Sequence, residues 1–178
     1  MNRRTFITSL SVLGISGITG YGVWQSIDTY QKPLSFAELR KTLMVLAQHQ
    51  INTTGAWNLA QILTHCAQSI EMSITGFPEH KSAVFKNTLG VLAFSAFDAK
   101  GRMHHGLSEP IPGAAPLEAN APLGTAYKRL DNAIKAFDTY QGKLAPHFAY
   151  GELSKQQYER AHVMHFNNHL SEIVTTAV

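Results

Sequence analysis

Ser154-Lys-Gln-Gln-Tyr158-Glu-Arg-Ala161-His162-Val-Met-His165-Phe166-Asn-Asn-His169-Leu170 is the stretch that decides the reading of this chain. Ser154 is a good N-cap, and Tyr158, Ala161, Phe166, Leu170 and Ile173 recur at helical spacing behind it. The segment therefore reads as a closing helix. His165 and His169 are four apart, so on a helix both imidazoles project from one side about one turn apart. Two neutral imidazoles so placed make half of a transition-metal site. The competing reading is a pair of polar residues on a partly buried helix. A possible third nitrogen lies far upstream, at His65, in another helical segment.

Working outward, helical periodicity recurs along the rest of the chain. Ser35-Phe36-Ala37-Glu38 reads as a capping box that opens a first helix, with Phe36, Leu39, Leu43, Leu46 and Ala47 as its apolar stripe, ending near His49. Asn52-Thr53-Thr54-Gly55 breaks the chain. A second helix from about Ala56 to Ile74 lines up Leu59, Ile62, Leu63, Ala67 and Ile70, and Gly76-Phe77-Pro78 ends it. A third covers His80 to Ala99 with Val84, Leu89, Val91, Leu92, Phe94 and Phe97, and carries Gly90 in its interior. A long irregular stretch, 101–122, contains Pro110, Pro112, Pro116 and Pro122; loops of that length are usually functional or disordered. Leu123 to Tyr140 forms a fourth helix with Tyr127, Leu130, Ile134 and Phe137, stopped by Gly142. No strand-like alternation of any length is expected. The fold class is all-α, a four-helix bundle with an extra or shorter helix.

Composition places limits on function. The chain has 178 residues, 44% hydrophobic and 15% charged, which describes a globular domain with a proper core. Arg3 and Arg4 supply two of the +3 net charges, which leaves about +1 for the remainder, and there is no Lys/Arg run. Nucleic acid is therefore not an expected partner. A single cysteine, Cys66, excludes an intramolecular disulfide and reads as a small buried hydrophobe.

Met1-Asn2-Arg3-Arg4-Thr5-Phe6-Ile7-Thr8 is followed by an uncharged, serine- and glycine-diluted stretch to Gln25. That is a positive n-region leading into a weak apolar segment. It resembles a twin-arginine export signal, with Arg3 and Arg4 as the signal motif. No Ala-x-Ala-like site precedes Gln25, so residues 1–25 read as that signal or as an uncleaved membrane anchor. Residues 26–34 form a linker and 35–175 the helical domain. The expected location is the periplasm, free or membrane-anchored, and the expected partners include the twin-arginine translocation machinery.

The helix Trp57-Asn58-Leu59-Ala60-Gln61-Ile62-Leu63-Thr64-His65, with a closing helix carrying His165-x3-His169, resembles the DinB-like superfamily of bacterial four-helix-bundle proteins. Within it, His147-Phe-Ala-Tyr-Gly-x-Leu-Ser resembles the lead-in of a branch known only as a domain of unknown function. Its pattern there is His-Pro-x-Phe-Gly-x-Leu-Thr, then His-x-x-His-His-Leu. Here Phe148 stands where Pro is usual, and Asn168 where the middle His is usual. The resemblance implies a divalent metal, Zn or Ni, held by His65, His165 and His169 with an open position for water or a small molecule. It implies a metal-dependent transferase or hydrolase; some relatives activate a low-molecular-weight thiol. The alternative is a non-catalytic exported module that binds metal or ligand. Haem held between helices by His65 and one closing-helix histidine is a third reading, non-covalent because no Cys-x-x-Cys-His site exists.

His162 faces the His165 side and reads as a supporting or replacement ligand, below His169. His147 caps the site or fixes its turn. Tyr158, Glu71 and Glu172 are the nearest acid/base or supporting candidates, each first a packing or solvated residue. His104 and His105 read as surface histidines that also suit the entrance. A homodimer is among the expected assemblies.

Overall fold

Asn58 and Gln61 set the start of the central helix. The Asn58 side chain accepts from the Gln61 backbone N–H and the Gln61 side chain accepts from that of Asn58, both at 3.0 Å. The resulting capping box opens α2 (Leu59–Thr75), three residues later than the expected Ala56. The computed structural model describes residues 33–176. The expectations for residues 1–25 and for most of the 26–34 linker lie outside the described residues.

The described chain is predominantly helical, as the periodicity predicts. The helices are α1 (Phe36–Leu46), α2, the short α3 (Ala83–Phe85), α4 (Val91–Lys100), α5 (Leu123–Thr139) and α6 (Lys155–His169). A π-helical turn, Lys86–Gly90, joins α3 to α4. Helix α2 packs along α5 and against α6, while α1 packs on both α5 and α6 and α4 lies on α6. Among the described residues, no helix is long and apolar enough to cross a membrane.

The expected stripes of α1, α2 and α5 are buried where Phe36, Leu39, Leu43, Leu46, Ile62, Leu63, Ala67, Ile70, Leu130, Ile134 and Phe137 meet. Ser35 caps α1 by accepting from Glu38 N–H, but the reciprocal half of the box is missing. Phe36 N–H instead donates to Glu159 of α6 at 2.8 Å, so the closing helix helps to cap the first. Ser154 and Gln157 form a complete box at the start of α6.

Two expectations require correction. Val84, Leu89, Val91 and Leu92 are exposed, and only Phe94 of that group is buried. The expected helix from His80 to Ala99 is divided by the π turn into α3 and α4, and at about 100° per residue these positions point all round it. Gly90 lies in that turn because its backbone passes against the Ala149 carbonyl oxygen, which a Cβ would strike.

The second correction is a strand pair. β1 (Gln50–Thr53) and β2 (Ile173–Thr176) run antiparallel, with Thr53 opposite Ile173. Ile173 is buried, but on this ribbon and not on the closing helix. Thr54 N–H donates to the Glu172 carbonyl at 2.9 Å. The ribbon thereby fixes the chain just beyond His169 against the chain just before α2.

The long loop 101–122 is tied down along α2. Side-chain amides of Asn58, Gln61 and Gln68 donate to the carbonyls of Ala119, Leu117 and Ala115, at 2.8, 3.3 and 2.9 Å.

Candidate metal centre

His65 comes from the middle of α2, and His165 and His169 from the last turns of α6. The packing of α2 on α6 brings the three together. One ligand atom from each lies within 4.8 Å of the others, and His65 Nε2 and His165 Nε2 are 3.0 Å apart. Two imidazole nitrogens bound tetrahedrally at 2.0–2.1 Å sit roughly 3.3 Å from each other. That pair therefore stands close to the separation of two nitrogens on one ion, with a His169 nitrogen completing the group within 4.8 Å. His65 and His169 are buried, and His165 is partly so.

Burial holds all three imidazoles neutral. It pushes His65 down to about 3, helped by His169 and His105 nearby, and His169 down to about 4, helped by His105. Burial also holds His165 well below its ordinary value, with the neighbouring histidines adding to the effect. Metal ligands must be deprotonated, so these nitrogens are in the binding form at neutral pH. His65 Nδ1 and both ring nitrogens of His169 are buried without a hydrogen-bond partner. Such orphaned atoms are rare in a finished core and fit a donor set for a borderline divalent ion.

Three further groups complete the surroundings. Trp57 stands before α2 and not on it. Its ring packs on His65 (4.9 Å between centroids) and stacks on His169 (5.9 Å), covering one side of the cluster. Glu172 sits in the 3₁₀ turn after α6, its Oε2 3.7 Å from His169 Nδ1. At that distance the carboxylate is a near neighbour of the ring and not a hydrogen-bond partner. Burial raises the Glu172 carboxyl above its usual range. The carboxylate fits there because Gly55 has no side chain; a Cβ at position 55 would strike Glu172 Oε1.

His105 is the third group. Its ring lies 4.9 Å from that of His165 and 5.5 Å from that of His169, whereas His104 is exposed. The reading of both as surface histidines therefore holds for His104 alone. No spacing signal in the proline-rich loop could have found His105.

The remaining candidates are each held by packing and hydrogen bonds of their own. His162 packs its ring between Phe36, Phe137 and Tyr158 and shares a 3.3 Å hydrogen bond with the Ser69 hydroxyl through Nδ1. Burial pushes it down to about 3. His147 accepts the N–H groups of Ala149 and Tyr150 at Nδ1, both at 3.1 Å, and so fixes the turn before α6. Tyr158 is fully buried and donates to the Ala145 carbonyl at 2.7 Å, a structural role. Glu71 pairs with Arg129 of α5 through two contacts of 2.9 and 2.7 Å. Cys66 is buried, its thiol pushed up to about 12, which makes it inert.

A cavity of about 200 Å³ adjoins the cluster, lined among others by His65, Ser69, His105, His147, His162 and His165. The three-histidine site thus has a space beside it of small-molecule scale. No curated protein and no solved structure matches the chain significantly. A family model does match residues 29–176, and the chain belongs to the family described as protein of unknown function (DUF1569).

Proposed function

We propose that this chain is an exported, divalent-metal-binding protein of the DinB-like type that acts on a small molecule as a metal-dependent transferase or hydrolase. The observation that carries the proposal is the convergence of His65, His165 and His169 from two helices, all neutral and all buried or nearly so. Zn or Ni suits such a nitrogen set. When bound, the metal supplies Lewis-acid polarisation of a ligand.

The chain's own residues do the rest. The three imidazoles hold the ion, Glu172 stands beside His169, and Trp57 keeps water from one side. The adjoining cavity receives the small molecule. Export by the twin-arginine machinery fits this scheme, since that route carries proteins already folded. The N-terminus would otherwise serve as the membrane tether.

A non-catalytic metal-holding module is the second reading. It is favoured by the amide at Asn168, which donates to the His105 carbonyl at 3.3 Å and so uses the α6 position of the family's middle histidine to anchor the loop. Elemental analysis of purified full-length protein tests the proposal. Near-stoichiometric Zn or Ni is expected, lost in His65→Ala and His169→Ala. Full metal content in both variants would overturn it.

A further inference from the structure

The three-histidine reading leaves one imidazole at the cluster without a role. His105 Nδ1 donates to the Gly106 carbonyl at 2.8 Å, which fixes the neutral tautomer and puts the ring's lone pair on Nε2. That Nε2 is buried and has no hydrogen-bond partner. The ring flanks His165 and His169 at 4.9 and 5.5 Å. His105 stands outside the group whose ligand atoms lie within 4.8 Å, but its unpartnered lone pair, on a ring flanking two of the three, is available to a cation held there.

The segment is held on both sides. Asn168 anchors the His105 carbonyl from α6, and Met103 is buried with Phe94, Ala161 and Met164. His162 also has an unpartnered Nε2, but its ring is packed among aromatic side chains of α1, α5 and α6. Among the histidines beyond the three, the packing favours His105.

We propose that His105 is a fourth protein ligand, delivered by the 101–122 loop, which makes a four-imidazole site for a divalent ion such as Zn. The inference rests on the metal reading of His65, His165 and His169. Four nitrogens saturate a tetrahedral ion, and saturated sites are the closed type. A four-imidazole centre therefore aligns with the metal-holding reading more than with the catalytic one.

The test uses full-length protein stripped of metal and titrated with Co(II) and Zn(II) against a competing chelator. His105→Ala and His105→Gln are compared with the wild type, with His104→Ala and with His65→Ala, each checked for folding by circular dichroism. Both His105 variants are expected to bind roughly ten- to a hundredfold more weakly and to give a visible Co(II) spectrum that is shifted and changes with pH, as a titratable water takes the fourth position. Free imidazole should restore affinity and spectrum in His105→Ala, and His104→Ala should behave as wild type. Wild-type affinity and spectrum in the His105 variants, with binding lost in His65→Ala, would overturn the fourth ligand and leave the three-histidine site standing. Undiminished binding in His65→Ala would overturn the metal reading itself, and His105 with it.

Discussion

Acidification should destabilise the metal-free protein well above the pH at which carboxylates titrate. His147 and His162 carry the effect most cleanly, because neither belongs to the three-histidine cluster. Both are buried, and that burial pushes each down to about 3. His147 has a further constraint, since protonating Nδ1 would set an N–H against the two backbone N–H groups it accepts. Unfolded, each imidazole titrates near 6.5. Above 6.5 both states are neutral and the stabilisation is complete. Between 6.5 and 3 the unfolded chain takes up a proton that the folded chain refuses, so stability falls as pH falls. At pH 5 the loss is about 2 kcal/mol per histidine, or about 4 kcal/mol for the pair. The clustered histidines act in the same direction, so this is a floor against a typical total of about 5–15 kcal/mol.

Urea unfolding in excess chelator at pH 7.5 and pH 5 measures the change. The midpoint should drop by roughly 2 M for a slope of about 2 kcal/mol per M. His162→Phe keeps a ring between Phe36, Phe137 and Tyr158 but cannot titrate, so it should lose about 2 kcal/mol less than wild type over that interval. Equal midpoints for the wild type at the two pH values would refute the reasoning.

Two glycines give further tests. Gly55→Ala should leave thermal stability nearly unchanged, because its Cβ meets only the movable end of Glu172. By pushing that carboxylate off His169 it should weaken Zn binding about tenfold in a chelator competition. Gly90→Ala meets the Ala149 carbonyl, a backbone atom that cannot step aside, so it should destabilise by about 2 kcal/mol. Calorimetry should then show Tm lower by roughly 4–8 °C.

The parts legible in the sequence are those where one local rule decides. Ser154 begins the closing helix because cap and periodicity agree there. The burial of Leu59, Ile62, Leu63, Ala67 and Ile70 follows from their shared face. His165 and His169 share a side because they are four apart, and the DinB-like resemblance supplied His65. What stayed hidden depends on contacts between distant segments. Strands of four residues carry too little pattern to read, and β1 and β2 exist through each other. Glu172 reaches His169 only because the ribbon brings Gly55 beside it. His105 lies in a loop without periodicity, and its place follows from Asn168 and from the amides of α2.

Those amides have a consequence for how the family can diversify. Asn58, Gln61, Gln68 and Asn168 all grip the 101–122 loop by main-chain oxygens, which every amino acid presents alike. The path of the loop is therefore written largely in the helices, while its exposed side chains remain free to change. Met103, Glu109, Ile111 and Pro112 form a wall of the cavity from that loop. Substitutions there can alter what the cavity accepts while these four anchors stay as they are. The cavity's selectivity can therefore drift over a three-histidine cluster that stays fixed.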